Sequence, residues 1–181
     1  MFPDKMRALA LAQGIFLLAS TEGCTGLRRV KTNLTPGLDI SNYVRVAVLP
    51  ASASSAEARL ADEFSHELTE MGKLVTQRPA LTAQLGSLPK TWNTERVKEL
   101  AATAQLDLVG FTTLEYRHGV AVVTLSLLDA RTGRPVIIIT LEHESGLLGG
   151  SLPYHDIASM MIEDVKKNIV SPDSRTRKLN W

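Results

Sequence analysis

The spacing of hydrophobic residues in the middle of the chain predicts a strand followed by a helix. In residues 43–50 (YVRVAVLP), valine occupies every second position and Pro50 ends the run, which is strand periodicity. The next apolar residues recur at helical spacing and predict one buried helical face, at Ala61, Phe64, Leu68 and Met71.

Polar and small residues predict where the helices begin and end. Ser54 and Glu57 have the spacing of a capping box, and Gly72 stands where a C-terminal cap belongs. A short strand is predicted at Leu74–Gln77. Residues 78–90 are predicted to form a loop with one helical turn near residues 82–85, and Asn93 or Thr94 is predicted to cap a helix over residues 95–105.

The most β-rich part of the chain predicts a three-stranded antiparallel meander. Residues 106–115, 120–128 and 135–142 are rich in β-branched residues, and glycine-containing turns separate them. Gly110, inside the first of these strands, predicts a bulge or a close backbone approach. A last helix is predicted from Pro153 to about Ile169. The predicted fold is α/β, with a mixed, largely antiparallel sheet of four to five strands flanked by helices.

The last predicted strand is hydrophobic on both of its faces. In residues 136–141 (VIIITL) the polar alternation of a half-exposed strand is missing, so either helices cover both faces or one face meets another subunit. Val136 and Ile138 are therefore candidate interface residues. Leu147 and Leu148, in the glycine-rich segment that follows, are further candidates. Trp92 is either a peripheral core residue or an anchor at an interface or at lipid headgroups.

The first residues predict a targeting signal over residues 1–23. Lys5 and Arg7 precede a mostly apolar stretch, residues 8–20, that has the length of a signal-peptide core and is short for a membrane span. Translation starts at Met1 or at Met6, and the sequence from Met6 (MRALALAQGIF) is the more typical opening of such a signal. The alternative interpretation is a buried N-terminal helix.

The only cysteine of the chain, Cys24, follows this segment directly. Gly23 and Cys24 resemble the bacterial lipoprotein box, in which the cysteine is lipidated and becomes the mature N-terminus. Thr21 and Glu22 depart from that pattern, so a secreted protein with a free thiol is the alternative. Thr25 fits the pattern of outer-membrane rather than inner-membrane lipoproteins. Two or more acyl chains would hold a soluble domain at the bilayer almost permanently.

Composition and charge are those of one ordinary globular domain. The chain has 181 residues, of which 44% are hydrophobic, and its formal net charge is +1, so a nucleic-acid surface is not predicted. The predicted organisation is a lipidated N-terminus and tether at residues 24–42, the domain at residues 43–170 and a basic tail at residues 171–181.

No catalytic, cofactor or metal site is predicted, and the protein is expected not to be an enzyme. The four histidines are scattered along the chain. His66 and Glu67 begin a segment like the zinc-protease motif, but Glu70 stands where that motif has its second histidine. Residues 146–150 (GLLGG) lack the lysine and hydroxyl residue of a phosphate loop.

The order of these elements and several segments resemble a known family. The segments are VRVAVLP, ELAATAQLDLVGFTTL and VAVVTLSLLDARTGRPV, which cover residues 44–50, 99–114 and 120–136. They resemble the periplasmic α/β domain of the CsgG and TolB N-terminal type, found also in the activator LpoB and the Pel polysaccharide export lipoprotein PelC, which has the most similar layout. The resemblance carries no catalytic residues.

This resemblance implies an outer-membrane lipoprotein that acts as a non-enzymatic accessory or assembly factor in export across the envelope. It implies self-association, as a ring in several members, and contact with an envelope export or assembly protein. The alternatives are a regulator that activates a cell-wall synthase, as LpoB does, and an unlipidated periplasmic binding domain. A synthase regulator needs a long tether, and residues 25–42 would span at most about 60 Å.

Overall fold

The computed structural model describes residues 28–36, 38–86, 89, 92–144 and 153–170, which form one mixed sheet with helices on both sides. The strands are β1 (Arg28–Leu34), β2 (Arg45–Pro50), β3 (Leu74–Val75), β4 (Leu108–Arg117), β5 (Val120–Asp129) and β6 (Pro135–Glu144). The helices are α1 (Ser55–Glu70), α2 (Arg78–Leu85), α3 (Thr94–Ala104) and α4 (Tyr154–Val170), and a 3-10 turn spans Ile40–Asn42.

The strand order is β1-β6-β5-β4-β2-β3. Strands β4, β5 and β6 form the predicted antiparallel meander, and β2 pairs in parallel with β3 and β4. The predicted α/β class with a mixed sheet and a C-terminal meander before a helix is therefore confirmed. The described sheet has six strands, however, rather than four to five.

The additional strand comes from the predicted tether. Residues 28–34 form β1, which pairs antiparallel with β6 over its whole length, from Arg28 opposite His143 to Leu34 opposite Ile137. On one face of β1, Val30 and Leu34 pack against the main core, so the alternation of a half-buried strand is present in this segment. Residues 28–34 of the predicted tether, 24–42, are therefore part of the sheet.

The main core lies between one face of the sheet and helices α1 and α4. Alternate residues of β5 and β6 point into it, including Val123, Leu125, Ile137 and Ile139, and all four are fully buried. Helix α1 contributes Ala61, Phe64 and Leu68, as its helical spacing predicted, and Met71, directly after the helix, is only partly buried. Burying a side chain of this size stabilises the fold by about 1.5–3 kcal/mol.

A smaller core lies on the opposite face, where α2 and α3 cover β2 and β4. It contains Leu81 of α2, Val97 and Leu100 of α3, and Ala47 and Val109 of the sheet. Helix α2 corrects the prediction of a mostly loop-like segment at residues 78–90, because eight residues there are helical and Leu81 is fully buried.

The sequence signals for helix caps and for Gly110 were partly correct. Asn93 caps α3 as predicted, and its side chain accepts a hydrogen bond from the Arg96 amide at 2.9 Å. The predicted capping box at α1 is wrong, because Ser54 makes no side-chain cap and the Glu57 carboxylate bonds elsewhere. At Gly110 the close neighbours are side chains, and neither a bulge nor another backbone, since a Cβ there would lie 2.9 Å from Leu127 Cδ2 and 3.2 Å from Val48 Cγ2.

Candidate functional site

The candidate interface residues do not form one cluster in the described part of the chain. Cys24, Leu147 and Leu148 lie outside the described residues. Val136 is only 9% exposed and packs in the main core, so it is not an accessible interface residue. A one-residue shift in the β5–β6 register next to Leu128 turns it towards the core.

Ile138 lies on the opposite side of β6 from the core. Its neighbours Ile137 and Ile139 are fully buried, whereas Ile138 is half-buried. Helices α2 and α3 do not reach it, because their buried side chains pack on β2 and β4. Of the two explanations for the hydrophobic strand, coverage of both faces by helices is therefore wrong for the described residues.

Ile138 belongs to a broad area of sheet that no described helix covers, which we call the open face. Its members lie on the side of the sheet away from α1 and α4 and are half-buried or exposed. They are Arg29, Lys31, Asn33, Thr113, Glu115, Val122, Thr124, Ser126, Ile138, Thr140 and Glu142.

The open face is an ordered grid because the strands are in register. One row runs across four strands through Thr113, Thr124, Thr140 and Lys31. The hydroxyl groups of Thr124 and Thr140 are 3.5 Å apart. The threonine methyl groups, together with Val122 and Ile138, make the middle of the face apolar, and the hydroxyl groups keep it able to form hydrogen bonds.

The exposed charged residues of the open face lie on its two outer strands and have opposite signs. Arg29 and Lys31 are exposed on the edge strand β1, and Glu115 is exposed on β4. A row adjacent to the threonine row carries Glu115, Val122, Glu142 and Arg29 in that order across the strands. An apolar centre with a charged rim is the usual composition of an interface between proteins.

Trp92 is a half-buried residue at the border of the smaller core. Its ring lies 5.0 Å from the ring of Phe111, tilted by 49°. Together with Leu85, Pro89, Arg96 and Leu100 it lines a cleft of about 180 Å³. The structure therefore supports the peripheral core role, while one side of the ring faces the cleft.

A buried carboxylate joins α1 to the loop before it and to β4. Glu57 is 7% exposed. Its carboxylate accepts hydrogen bonds from the Ser52 amide at 2.8 Å, from the Ser52 hydroxyl at 2.7 Å and from the Leu114 amide at 3.2 Å. With three donors it is a structural group that holds this corner of the fold.

Asp129 organises the turn between β5 and β6. Burial alone would raise the pKa of this carboxyl, but donors from Thr132 and Tyr43 and the charge of Arg131 outweigh it, so the pKa is lowered. The Thr132 amide donates at 2.7 Å, and the Tyr43 hydroxyl donates at 3.3 Å. Burial, and then the negative charge of Asp129, raise the pKa of Tyr43. The contact with Thr132 stabilises the turn, and the contact with Tyr43 fixes the chain that precedes β2.

The histidines come closest together where α1 meets α4. His155 Nδ1 lies 3.3 Å from Glu63 and 4.0 Å from Glu67, and its ring centre is 6.4 Å from that of His66. Within the described ranges, no group of three or more histidine, cysteine or acidic side chains is placed to hold a metal ion. In the same part of the chain, no helix is long and apolar enough to cross a membrane.

The sequence contained a signal for the open face that the prediction did not use. In β5, Val122, Thr124 and Ser126 alternate with the fully buried Val123 and Leu125. That alternation is typical of a strand with one face outside the core. The β1 residues of the face were missed because residues 28–34 were assigned to the tether.

No protein-family model matches the sequence, and no curated protein sequence matches it. Several solved structures are similar in fold. The PelC dodecamer from Paraburkholderia phytofirmans is 17% identical, with a TM-score of 0.46 over 79% of this chain and 97% of that one. Lipoprotein GNA1162 from Neisseria meningitidis is 17% identical, with a TM-score of 0.47 over 72% of this chain and 98% of that one.

The C-terminal domain of LpoB from Escherichia coli is 14% identical, with a TM-score of 0.40 over 55% of this chain and 81% of that one. PelC and LpoB are the two relatives that the sequence resemblance named. The similarity concerns the fold alone.

Proposed function

We propose that the protein is an outer-membrane lipoprotein that acts, without catalysis, as an accessory or assembly factor in export across the envelope. In this proposal Cys24 carries the lipid, and the domain works at the periplasmic face of the membrane by contact with further copies of itself and with an export or assembly protein. The open face is the observation that carries the proposal, because it presents an ordered surface, with threonine, valine and isoleucine side chains in its middle, that no described part of the fold uses.

The charges of the open face favour contact with a second copy. If two copies face each other about a two-fold axis parallel to the strands, β1 of one copy lies over β4 of the other. Arg29 then lies over Glu115 of the second copy, because both residues belong to the same row of the grid. Opposite charges at matching positions favour this arrangement over sliding of one sheet on the other.

The short link between Cys24 and the sheet favours work close to the membrane. Strand β1 begins at Arg28, four residues after Cys24. Four residues span at most about 14 Å, whereas the tether predicted from the sequence would span about 60 Å. A regulator of a cell-wall synthase has to reach across the periplasm, so this length argues against that alternative.

Metabolic labelling with palmitate tests the anchor. The wild-type chain is expected to incorporate the label and to float with outer-membrane vesicles, and Cys24→Ser is expected to do neither. Thr25→Ser is the matched control and is expected to behave as wild type. Equal labelling of the wild-type and Cys24→Ser chains would overturn the lipid anchor.

Cross-linking in native membranes tests self-association through the open face. The wild-type chain is expected to give cross-linked oligomers. Thr124→Arg places a long cation in the centre of the open face and is expected to reduce them at least fivefold. Glu99→Arg, on an exposed position of α3, is the control. Oligomers that are equally abundant in the wild type and in Thr124→Arg would show that the open face is not the contact.

A further inference from the structure

The N-terminus of β1 and the turn between β4 and β5 lie at the same end of the sheet. Arg28 is opposite His143, His143 is opposite Ala121, and Ala121 is opposite Tyr116. These four residues form one row across the sheet, with β1 at one side and β4 at the other. Three strand spacings separate Arg28 from Tyr116, which is about 14 Å.

Cys24 is confined to the neighbourhood of this end. Its four-residue link allows the sulfur to lie at most about 14 Å from Arg28. The opposite end of the sheet, with the turn that follows Asp129, is separated from this row by the length of β5, which has ten residues. At 3.3–3.4 Å a residue this is about 30 Å, so a lipid on Cys24 brings the Tyr116 end to the bilayer and not the other end.

The turn at this end presents a residue suited to the boundary between water and lipid. Tyr116 is 63% exposed, although it is a large aromatic residue at the end of a strand. A tyrosine ring buries its apolar body among acyl chains and keeps its hydroxyl in the headgroup layer, which explains the enrichment of tyrosine at membrane surfaces.

The turn holds that residue in a defined position. Arg117 and Val120 are register partners, and His118 and Gly119 between them have φ values of 50° and 80°. Two successive positive φ values form the tight hairpin turn that matches the twist of the strands. The Arg117 guanidinium also donates hydrogen bonds to the Glu115 carboxylate, so the strand end is braced on its other face.

We infer that the β4–β5 turn, residues 116–119, rests on the phospholipid headgroups with the Tyr116 ring in the interface. This inference rests on the lipid anchor proposed above. It adds an orientation, in which the strands run roughly along the membrane normal. The plane of the open face is then perpendicular to the bilayer, so the face is turned towards neighbouring molecules in the same membrane. Copies anchored in the same membrane then meet open face to open face by moving in two dimensions.

Fluorescence quenching by spin-labelled lipid tests this orientation. The full-length chain is expressed in a bacterial host, purified as the host processes it and reconstituted in phosphatidylcholine vesicles that contain a nitroxide-labelled headgroup lipid. Tyr116→Trp places a fluorophore at the inferred contact. Arg131→Trp places one at an exposed position in the turn between β5 and β6, at the opposite end of the sheet. Circular dichroism verifies that both variants fold.

The fluorescence that Tyr116→Trp adds to the wild-type signal is expected to be quenched at least twofold more than that of Arg131→Trp. Equal quenching at the two positions, or stronger quenching at 131, would overturn the orientation. The intact mass of the purified protein reports separately whether Cys24 carries lipid. If its thiol is free, coupling this single cysteine to a maleimide lipid restores the link, so the orientation is tested even when the proposed lipidation fails.

Discussion

The Thr32 hydroxyl donates a hydrogen bond to the Asp164 carboxylate, which joins strand β1 to helix α4 across 132 positions of the sequence. Both residues are half-buried. The contact shows that the N-terminal strand is attached to the core through a side chain as well as through its pairing with β6. A lipid on Cys24 would therefore be linked to the centre of the fold and not to a loose segment.

Replacement of Thr32 by valine is expected to lower the free energy of unfolding by about 1 kcal/mol, because the isosteric side chain cannot donate to Asp164. Urea unfolding followed by circular dichroism measures the change. Asn33→Ser, at the adjacent exposed position of β1, is the control and is expected to change stability by less than about 0.5 kcal/mol. Equal stability of Thr32→Val and the wild type would mean that this hydrogen bond does not help to hold β1.

Substitution of the buried Glu57 is expected to lower stability more than substitution of most other polar residues. Glu57→Ala removes the acceptor of three hydrogen bonds and leaves the Ser52 and Leu114 amides without this partner. We therefore expect the free energy of unfolding to fall by about 2–4 kcal/mol. Glu57→Gln keeps one acceptor oxygen and is expected to lose about half as much. Thermal and urea unfolding measure both variants, with the exposed Glu99→Gln as control. Equal effects of Ala and Gln would contradict the role of the carboxylate oxygens.

Gly110 is expected to tolerate no side chain unless Leu127 is made smaller. Gly110→Ala places a Cβ 2.9 Å from Leu127 Cδ2, which should destabilise the protein by about 1–3 kcal/mol. Leu127→Val removes that Cδ2 atom, so the double variant is expected to be less destabilised than the sum of the two single variants. A double-mutant cycle in urea measures this coupling. Strict additivity would show that the clash is relieved elsewhere.

The lowered pKa of Asp129 predicts a contribution to acid stability. Because the folded-state pKa lies below the unfolded value of about 3.9, the stabilisation is fully present above that pH and is lost as the pH falls through the folded-state pKa. Wild type should therefore be more stable than Asp129→Asn at pH 7, and the difference should shrink below about pH 4. Urea unfolding from pH 7 to pH 2 measures it, and a difference independent of pH would contradict the assignment.

Much of the fold follows from short-range patterns. The meander was predictable because its strands are rich in β-branched residues and its turns carry glycine, and Asn93 was predictable as a cap because capping involves residues three apart. The order of elements from β2 to α4 was also correct, except that residues 78–85 were expected to be mostly loop and form helix α2. The predicted capping box failed for a different reason: Glu57 has the local spacing to cap α1, but Leu114 on β4 offers an amide that only folding brings near.

The sequence by itself determined the class of the fold, the positions of most strands and helices, and a cysteine that resembles a lipidation site, since each depends on residues near one another along the chain. The tertiary structure alone decided that residues 28–34 join the sheet, that Val136 is in the core while Ile138 is outside it, and that the start of β1 lies at the same end of the sheet as the β4–β5 turn. These properties depend on pairing between distant segments, such as β1 with β6, and local periodicity is the same whichever partner a strand finds.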